Sequence, residues 1–197
     1  MAVILRAAER VVVSWKNGGG LTRELAVYPP GSNLEDFAWR VSLAEVHAGG
    51  PFSSFPGVDR QMAVLAGELA LSIDEGDSLT LSPDSPPLGF SGEARVVAQP
   101  LGGVVTDLNV MTRRGRFSAR LRRCVVHAQQ LLTLSADTTL LIALSELTLR
   151  SQATQGVLAA LDALLCEGAA QCEVVPSGAG AREGVSFYVA EISAANT

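Results

Sequence analysis

A chain of 197 residues that is 48% hydrophobic and only 18% charged holds ample core material and too little charge for an intrinsically disordered polymer. Its net charge of −5 gives no overall basic footprint for nucleic acid, and no apolar run reaches the roughly 18 residues that a membrane-spanning helix requires. The start, Met1-Ala2-Val3-Ile4-Leu5-Arg6, has no basic segment ahead of a long apolar stretch, so a cytoplasmic protein is expected. Three cysteines, Cys124, Cys166 and Cys172, are an odd number without Cys-x-x-Cys spacing. They fit reduced core thiols better than a disulfide framework or a zinc site.

In chain order, the first informative segment runs from residue 14 to residue 26. Gly18, Gly19 and Gly20 stand beside Trp15 and Asn17, and consecutive glycines mark a tight turn or a close backbone approach. After them Thr22, Glu24 and Ala26 alternate with Arg23, Leu25 and Val27, the period of a strand with a carboxylate on one face. Without its neighbours the segment reads as a hairpin turn and an edge strand. Further short runs at 25–28, 38–43, 62–65, 69–73, 95–98 and 101–111 are separated by Gly, Pro, Ser and Asp turns, the pattern of a sandwich or barrel.

Two of these runs carry polar faces. Arg40 and Ser42 share one face of 38–43, and Val105, Asp107, Asn109 and Met111 share one face of 101–111. Residues 74–87, rich in Asp, Ser and Pro, read as a solvated turn region, and His47, followed by Ala48-Gly49-Gly50, as a loop or strand-end residue. The arginines at 113, 114, 116, 120, 122 and 123 form a local basic cluster, read as a solvated strand and loop in an acidic chain. From Arg116 onward aliphatic runs dominate and the segment reads as scaffold. Val157, Leu161, Leu164 and Leu165 follow helical spacing. The same region from 164 to 175 can equally be laid on 63–74 as strand, glycine turn and strand, a weak internal repeat that leaves helix and strand both open.

Four motifs follow one another in order: Trp15-Lys16-Asn17-Gly18-Gly19-Gly20, Phe37-Ala38-Trp39-Arg40-Val41-Ser42, Gly50-Pro51-Phe52-Ser53-Ser54-Phe55-Pro56-Gly57-Val58-Asp59-Arg60, and Thr106-Asp107-Leu108-Asn109-Val110-Met111-Thr112-Arg113. Together they resemble the HutD/Ves family of cupin-like proteins. The resemblance implies an all-β bicupin, two jelly-roll barrels in one chain. Residues 1–113 would form the N-terminal barrel carrying a ligand pocket, and 114–197 a mainly structural cupin-like barrel packed with it as one compact unit. One branch of the family is tied to histidine-utilisation operons, with a governor role that senses a pathway intermediate, and the other to low-temperature stress. Whether the second barrel also mediates a homodimer stays open.

Cupins often hold a metal on His-x-His, a Glu and a later His. With the strand-turn glycine anchored on Gly67, the Glu position falls on Arg60 and the His-x-His position within Ser53-Ser54-Phe55-Pro56, while Gly92 takes the later histidine's place. No donor set remains, so no metal and no other cofactor is expected. The resemblance instead gathers Trp15, Asn17, Glu24, Arg40, Ser42, Phe52, Phe55, Arg60, Asp107 and Asn109 as ligand-binding candidates.

Arginine forks recognise carboxylates through paired N–H bonds, with Glu24, Asp59 and Asp107 available as partners. The aromatic residues supply flat apolar walls, although the Phe-Ser-Ser-Phe-Pro stretch equally reads as a loop plugging the barrel mouth. The expected partner is a small carboxylate-bearing metabolite such as urocanate or formiminoglutamate, with neither nucleic acid nor membrane. No catalytic residue stands out, since nucleophile elbow, phosphate loop and supported Cys-His pair are all missing. The alternatives are a metal-independent isomerase or lyase using Glu24 or Asp107, and a structural or partner-binding protein.

Overall fold

In the computed structural model, which describes residues 1–15, 18–178 and 184–195, strand periodicity and turn residues give an all-β chain. The elements are β1 (Ala2–Leu5), a short 3-10 turn (Ala7–Glu9), β2 (Val12–Ser14), β3 (Gly20–Tyr28), β4 (Trp39–Val46), β5 (Gly50–Pro51), β6 (Val58–Ile73), β7 (Leu79–Leu81), β8 (Leu88–Ser91), β9 (Val96–Arg113), β10 (Phe117–Val126), β11 (Gln130–Leu134), β12 (Thr138–Ala143), β13 (Leu147–Ser151), β14 (Gln155–Leu158), β15 (Ala163–Glu167), β16 (Ala170–Pro176) and β17 (Val185–Ala194). Among the described residues there is no α-helix, and no helix is long and apolar enough to cross a membrane.

The chain divides into two compact units, one of residues 10–118 and one of residues 1–9 with 119–197. This differs from a division at 113/114 chiefly at the start of the chain. The apolar strand β1 pairs antiparallel with β15, Ala2 opposite Cys166 and Leu5 opposite Ala163. Asp162 then accepts hydrogen bonds from the Ala7 amide and the Arg6 guanidinium, both at 2.7 Å.

Within 10–118, β6 and β9 pair along most of their lengths, with the register shifting between Val64 and Ala66 and again between Ala66 and Glu68. Residue 67 is therefore a bulge inside one long strand, where the sequence suggested a turn between two. It must be glycine: its φ is +79°, and a Cβ there would lie 2.9 Å from the Val104 carbonyl oxygen. On one side of this bend the pairing order is β2-β3-β4-β9-β6-β8; on the other, β6 and β9 continue against β7 and β5. Strand β7 lies in the 74–87 region expected to be turn, paired with β6 through Leu69 to Leu71. Met62, Val64, Leu69, Leu71, Val96 and Val105 form the core at the bend, with Trp15, Phe52 and Phe90 packed on it.

A second bulge lies in β3. Glu24 stands opposite Ser42 and Val27 opposite Arg40, so Ala26 leaves the face it would share with Glu24 in a regular strand. The sheet edge is β2, not β3.

The other unit holds a five-stranded sheet, β1-β15-β12-β17-β10, and a four-stranded sheet, β11-β16-β13-β14. Their apolar faces share one cluster that includes Leu134, Leu141, Leu147, Leu164, Val174 and Phe187, and the three cysteines are free thiols. Residues 155–158 and 163–167 are strands, and the turn that joins β14 to β15 has Leu161 at φ +67°. Gly168, at φ +76°, joins β15 in one sheet to β16 in the other. It thus occupies the corner position that Gly67 takes at the bend of β6.

Candidate functional site

The polar faces of three adjacent strands converge because antiparallel partners share a face. Arg40, Ser42 and Ala44 of β4 stand opposite Met111, Asn109 and Asp107 of β9. From β6, Arg60 stands opposite the same Met111. Thr22 and Glu24 of β3 extend the row beyond β4. The reverse face of these strands, with Val41, Leu43, Leu108 and Val110, is apolar and buried. The polar set consequently lines a cavity of about 710 Å³ within residues 10–118, with the Arg40 side chain only 14% exposed.

Trp15, Glu24, Arg40, Ser42, Phe52, Phe55, Arg60, Asp107 and Asn109 all line this cavity; Asn17 lies outside the described residues. Several further lining residues had weaker sequence signals. Thr22 shares the Glu24 face and Met111 the Asp107 face, so alternation could have found both. Asn33, Leu34 and Ser53 come from loops, where no periodicity points to them.

A chain of hydrogen bonds crosses the cavity wall. Arg60 Nη2 donates to Asn109 Oδ1 at 2.9 Å, and Asn109 Nδ2 donates to Asp107 Oδ1. Beside it, Arg40 Nε donates to Glu24 Oε2 at 2.7 Å. Asp59, the third candidate partner, instead binds Arg114 at 2.8 Å outside this set. Arg60 is only 8% exposed, and its Nε has no hydrogen-bond partner. Its guanidinium carbon lies 4.9 Å from the ring centroid of Phe90, 5.2 Å from Phe52 and 5.8 Å from Phe55. Aromatic faces attract a cation, so this cage holds the charge in a nearly dry setting. Phe90 was not among the sequence candidates; it sits opposite Arg60 in the β6–β8 pair.

Burial governs the electrostatics. It pushes the Asp107 carboxyl up to about 7, against the pull of Arg60 and the Asn109 bond. Burial likewise lowers Arg60 to about 10, with Arg40 adding repulsion and Asp107 opposing it. Arg60 remains cationic at neutral pH while Asp107 stands near its midpoint.

The surrounding loops are fixed by their own backbones. The Phe52 amide donates to Val96 O at 2.9 Å and the Phe55 amide to Gly92 O at 2.8 Å. Gly92 permits this approach, since a Cβ there would fall 2.4 Å from Phe55 O. Arg113 ties the neighbouring segments by donating to the carbonyls of Phe37 and Pro56, each at 3.1 Å, and to that of Glu35. Phe37 meets the Phe55 ring edge-on at 6.5 Å. The Phe-Ser-Ser-Phe segment is therefore a pinned wall stacked on Arg60. Across the cavity, Trp15 Nε1 donates to Thr22 Oγ1 at 2.7 Å. Trp15 packs beside Gly20, where a Cβ would lie 2.3 Å from Glu45 O. The glycine run thus serves a close approach.

A cupin-type metal does not fit these residues. A buried guanidinium occupies the wall, and among the described residues no three His, Cys, Asp or Glu side chains converge. His47 lies beside Glu45 at 3.4 Å, and its amide donates to Gly19 O at 2.9 Å, as suits a strand-end residue. Of the basic cluster, Arg114 is engaged by Asp59 and Glu93 and Arg122 by Glu191. What the cavity offers chemically is a caged cation, an amide, a carboxyl that titrates near neutrality and flat apolar walls.

Comparison with known proteins places these features in a wider set. The HutD family model matches residues 7–182. An uncharacterised 21.2 kDa protein in the hutC 3′ region of Pseudomonas putida is 38% identical over 120 residues, 60% of this chain and 62% of that one. Protein Ves of Citrobacter koseri is 41% identical over 110 residues, 55% of this chain and 56% of that one. The chain thus spans less than two thirds of the length of the curated relatives it matches. The structure of HutD from Pseudomonas fluorescens SBW25, obtained in a formate condition, is 28% identical and superposes with a TM-score of 0.82 over all of both chains. A cupin 2 conserved barrel domain protein from Leptotrichia buccalis shares the fold alone, at 11% identity and a TM-score of 0.58 over 93% of this chain and 92% of that one.

Proposed function

Because the chain belongs to the HutD family, with a relative in a histidine-utilisation locus, we propose that it binds a small carboxylate-bearing metabolite in the cavity of residues 10–118 and acts as a regulator or sensor in histidine utilisation. The observation that carries this reading is Arg60. A buried guanidinium with an unsatisfied N–H carries a desolvation penalty of about 1–3 kcal/mol, and it lines a cavity large enough for a small molecule. A carboxylate offers two acceptors to such a fork, while Phe52, Phe55 and Trp15 supply apolar walls.

The test is a thermal-shift screen with urocanate, formiminoglutamate, formate and related acids. A ligand that binds only the native state stabilises it by about 2.7 kcal/mol at 100 times its Kd, so a rise of several degrees is expected. Arg60→Ala should abolish the rise and Arg60→Lys, which keeps the charge without the fork, should reduce it. No shift with any of these acids, or an equal shift in Arg60→Ala, would refute the reading.

A second reading, proton transfer on a small acid, is favoured by Asp107 alone, since a carboxyl near 7 suits a general acid or base. Turnover of a bound acid that is lost in Asp107→Asn would establish it.

A further inference from the structure

The charges facing Asp107 can be counted element by element. From β6 comes Arg60, from β4 Arg40, from β3 Glu24, and on its own strand β9 the amide of Asn109. With all of them ionised the wall is neutral, two guanidiniums against two carboxylates. Glu24 is held by Arg40 and its side chain is 40% exposed, so water shares its charge. Asp107 is 1% exposed, feels the Arg60 charge and is linked to it by hydrogen bonds through Asn109.

An incoming carboxylate therefore makes the sum negative beside two almost wholly buried groups, Asp107 and Arg60, and draws on the same cation that steadies Asp107. Two anions sharing one buried cation cannot both remain charged without a large penalty. The group least served by water gives way.

We infer that the cavity takes up one proton for each monocarboxylate it binds, with Arg60 anchoring the anion and Asp107 accepting the proton from solvent. This rests on the binding reading above. Neutralising Asp107 restores charge balance, since the wall becomes singly positive and the ligand singly negative. The neutral carboxyl then has one O–H to donate. Its position near neutrality in the free protein, caused by burial, means that protonation requires little work at cellular pH.

Calorimetry on the intact protein tests this, with benzoate and formate as probes because both stay anionic from pH 5.5 to 8.5. Titrations in two buffers of different ionisation enthalpy give the number of protons taken up. The expected uptake is close to one at pH 8 and close to zero at pH 5.5. Affinity should fall about 30-fold between pH 5.5 and 8.5, from a free-state value of about 7 that binding raises well above the range. Asp107→Asn should bind with no linked proton and no such pH dependence. Binding by the wild type without proton uptake at pH 8, or a pH dependence that survives in Asp107→Asn, overturns the proposal and leaves the binding reading intact. No heat from either acid at any of these pH values overturns the proposal, and the binding reading falls with it when none of the acids in the thermal-shift screen stabilises the protein. The wild-type measurement decides the matter even where the variant does not fold.

Discussion

At the residue scale, Asp107 shows how a site can be paid for in stability. Its folded-state position, about 7, lies above the ordinary carboxylate value of 3.8 because burial disfavours the charge. Between those two pH values the folded state binds more protons than the unfolded one, so this group's contribution to stability falls as pH rises through that window. Asp107→Asn removes the effect. The variant is expected to melt a few degrees above the wild type at pH 8, since about 1 kcal/mol corresponds to roughly 2–4 °C in a chain of this size. The gap should close as pH approaches 4, and melting curves across pH 4–8 check it. A variant less stable than the wild type at pH 8 would show that the Arg60 attraction outweighs burial. Arg60 was legible as a candidate because a charged residue stood where a cupin ligand would stand. The rings that cage it were only partly legible: Phe52 and Phe55 lie in a motif, whereas Phe90 meets Arg60 only through the β6–β8 pairing.

At the element scale, alternation located most strands, and it failed where the backbone breaks its own period. The bulge in β3 removes Ala26 from the Glu24 face and brings Val27 opposite Arg40. The bulge at residue 67 lets β6 run on where a turn was expected. Bulges depend on partner register, which a single sequence does not display. Residues 157–165 left helix and strand open for another reason: four apolar residues at helical spacing fall in two strands and a turn, where Leu164 is buried and Val157 is exposed. The glycine corners allow a paired test. Gly67 and Gly168 have φ of +79° and +76°, but a Cβ meets Val104 O at 2.9 Å in the first and nothing within 4 Å in the second. Gly168→Ala should cost about 1 kcal/mol for the left-handed backbone alone. Gly67→Ala should cost distinctly more, about 2–4 kcal/mol, because backbone must also shift. Denaturant unfolding of the two variants measures both, and equal losses would contradict the role given to the bend.

At the scale of the whole molecule, the division into units follows hydrogen bonds that no local pattern announces. The first nine residues belong with 119–197 because β1 completes a sheet there. Asp162 holds the junction, taking the amides of Ala7 at 2.7 Å and Ala159 at 3.2 Å and the guanidinium of Arg6. Asp162→Ala leaves those amides unpaired, so a loss of about 1–3 kcal/mol is expected. Amide exchange should then accelerate in β1 before it does in the strands around the cavity. The two units also differ in character. One core is apolar almost throughout, while the other opens into a polar cavity walled by motif residues.

The central claim is that this cavity, with Arg60 as its anchor, is where a small carboxylate binds. A crystal structure of the protein saturated with urocanate tests it most directly. The ligand is expected in the cavity, its carboxylate within hydrogen-bonding distance of the Arg60 guanidinium and its flat body against Phe52 or Trp15. A ligand seated elsewhere, or a cavity holding only water at a concentration that stabilises the protein, would contradict it.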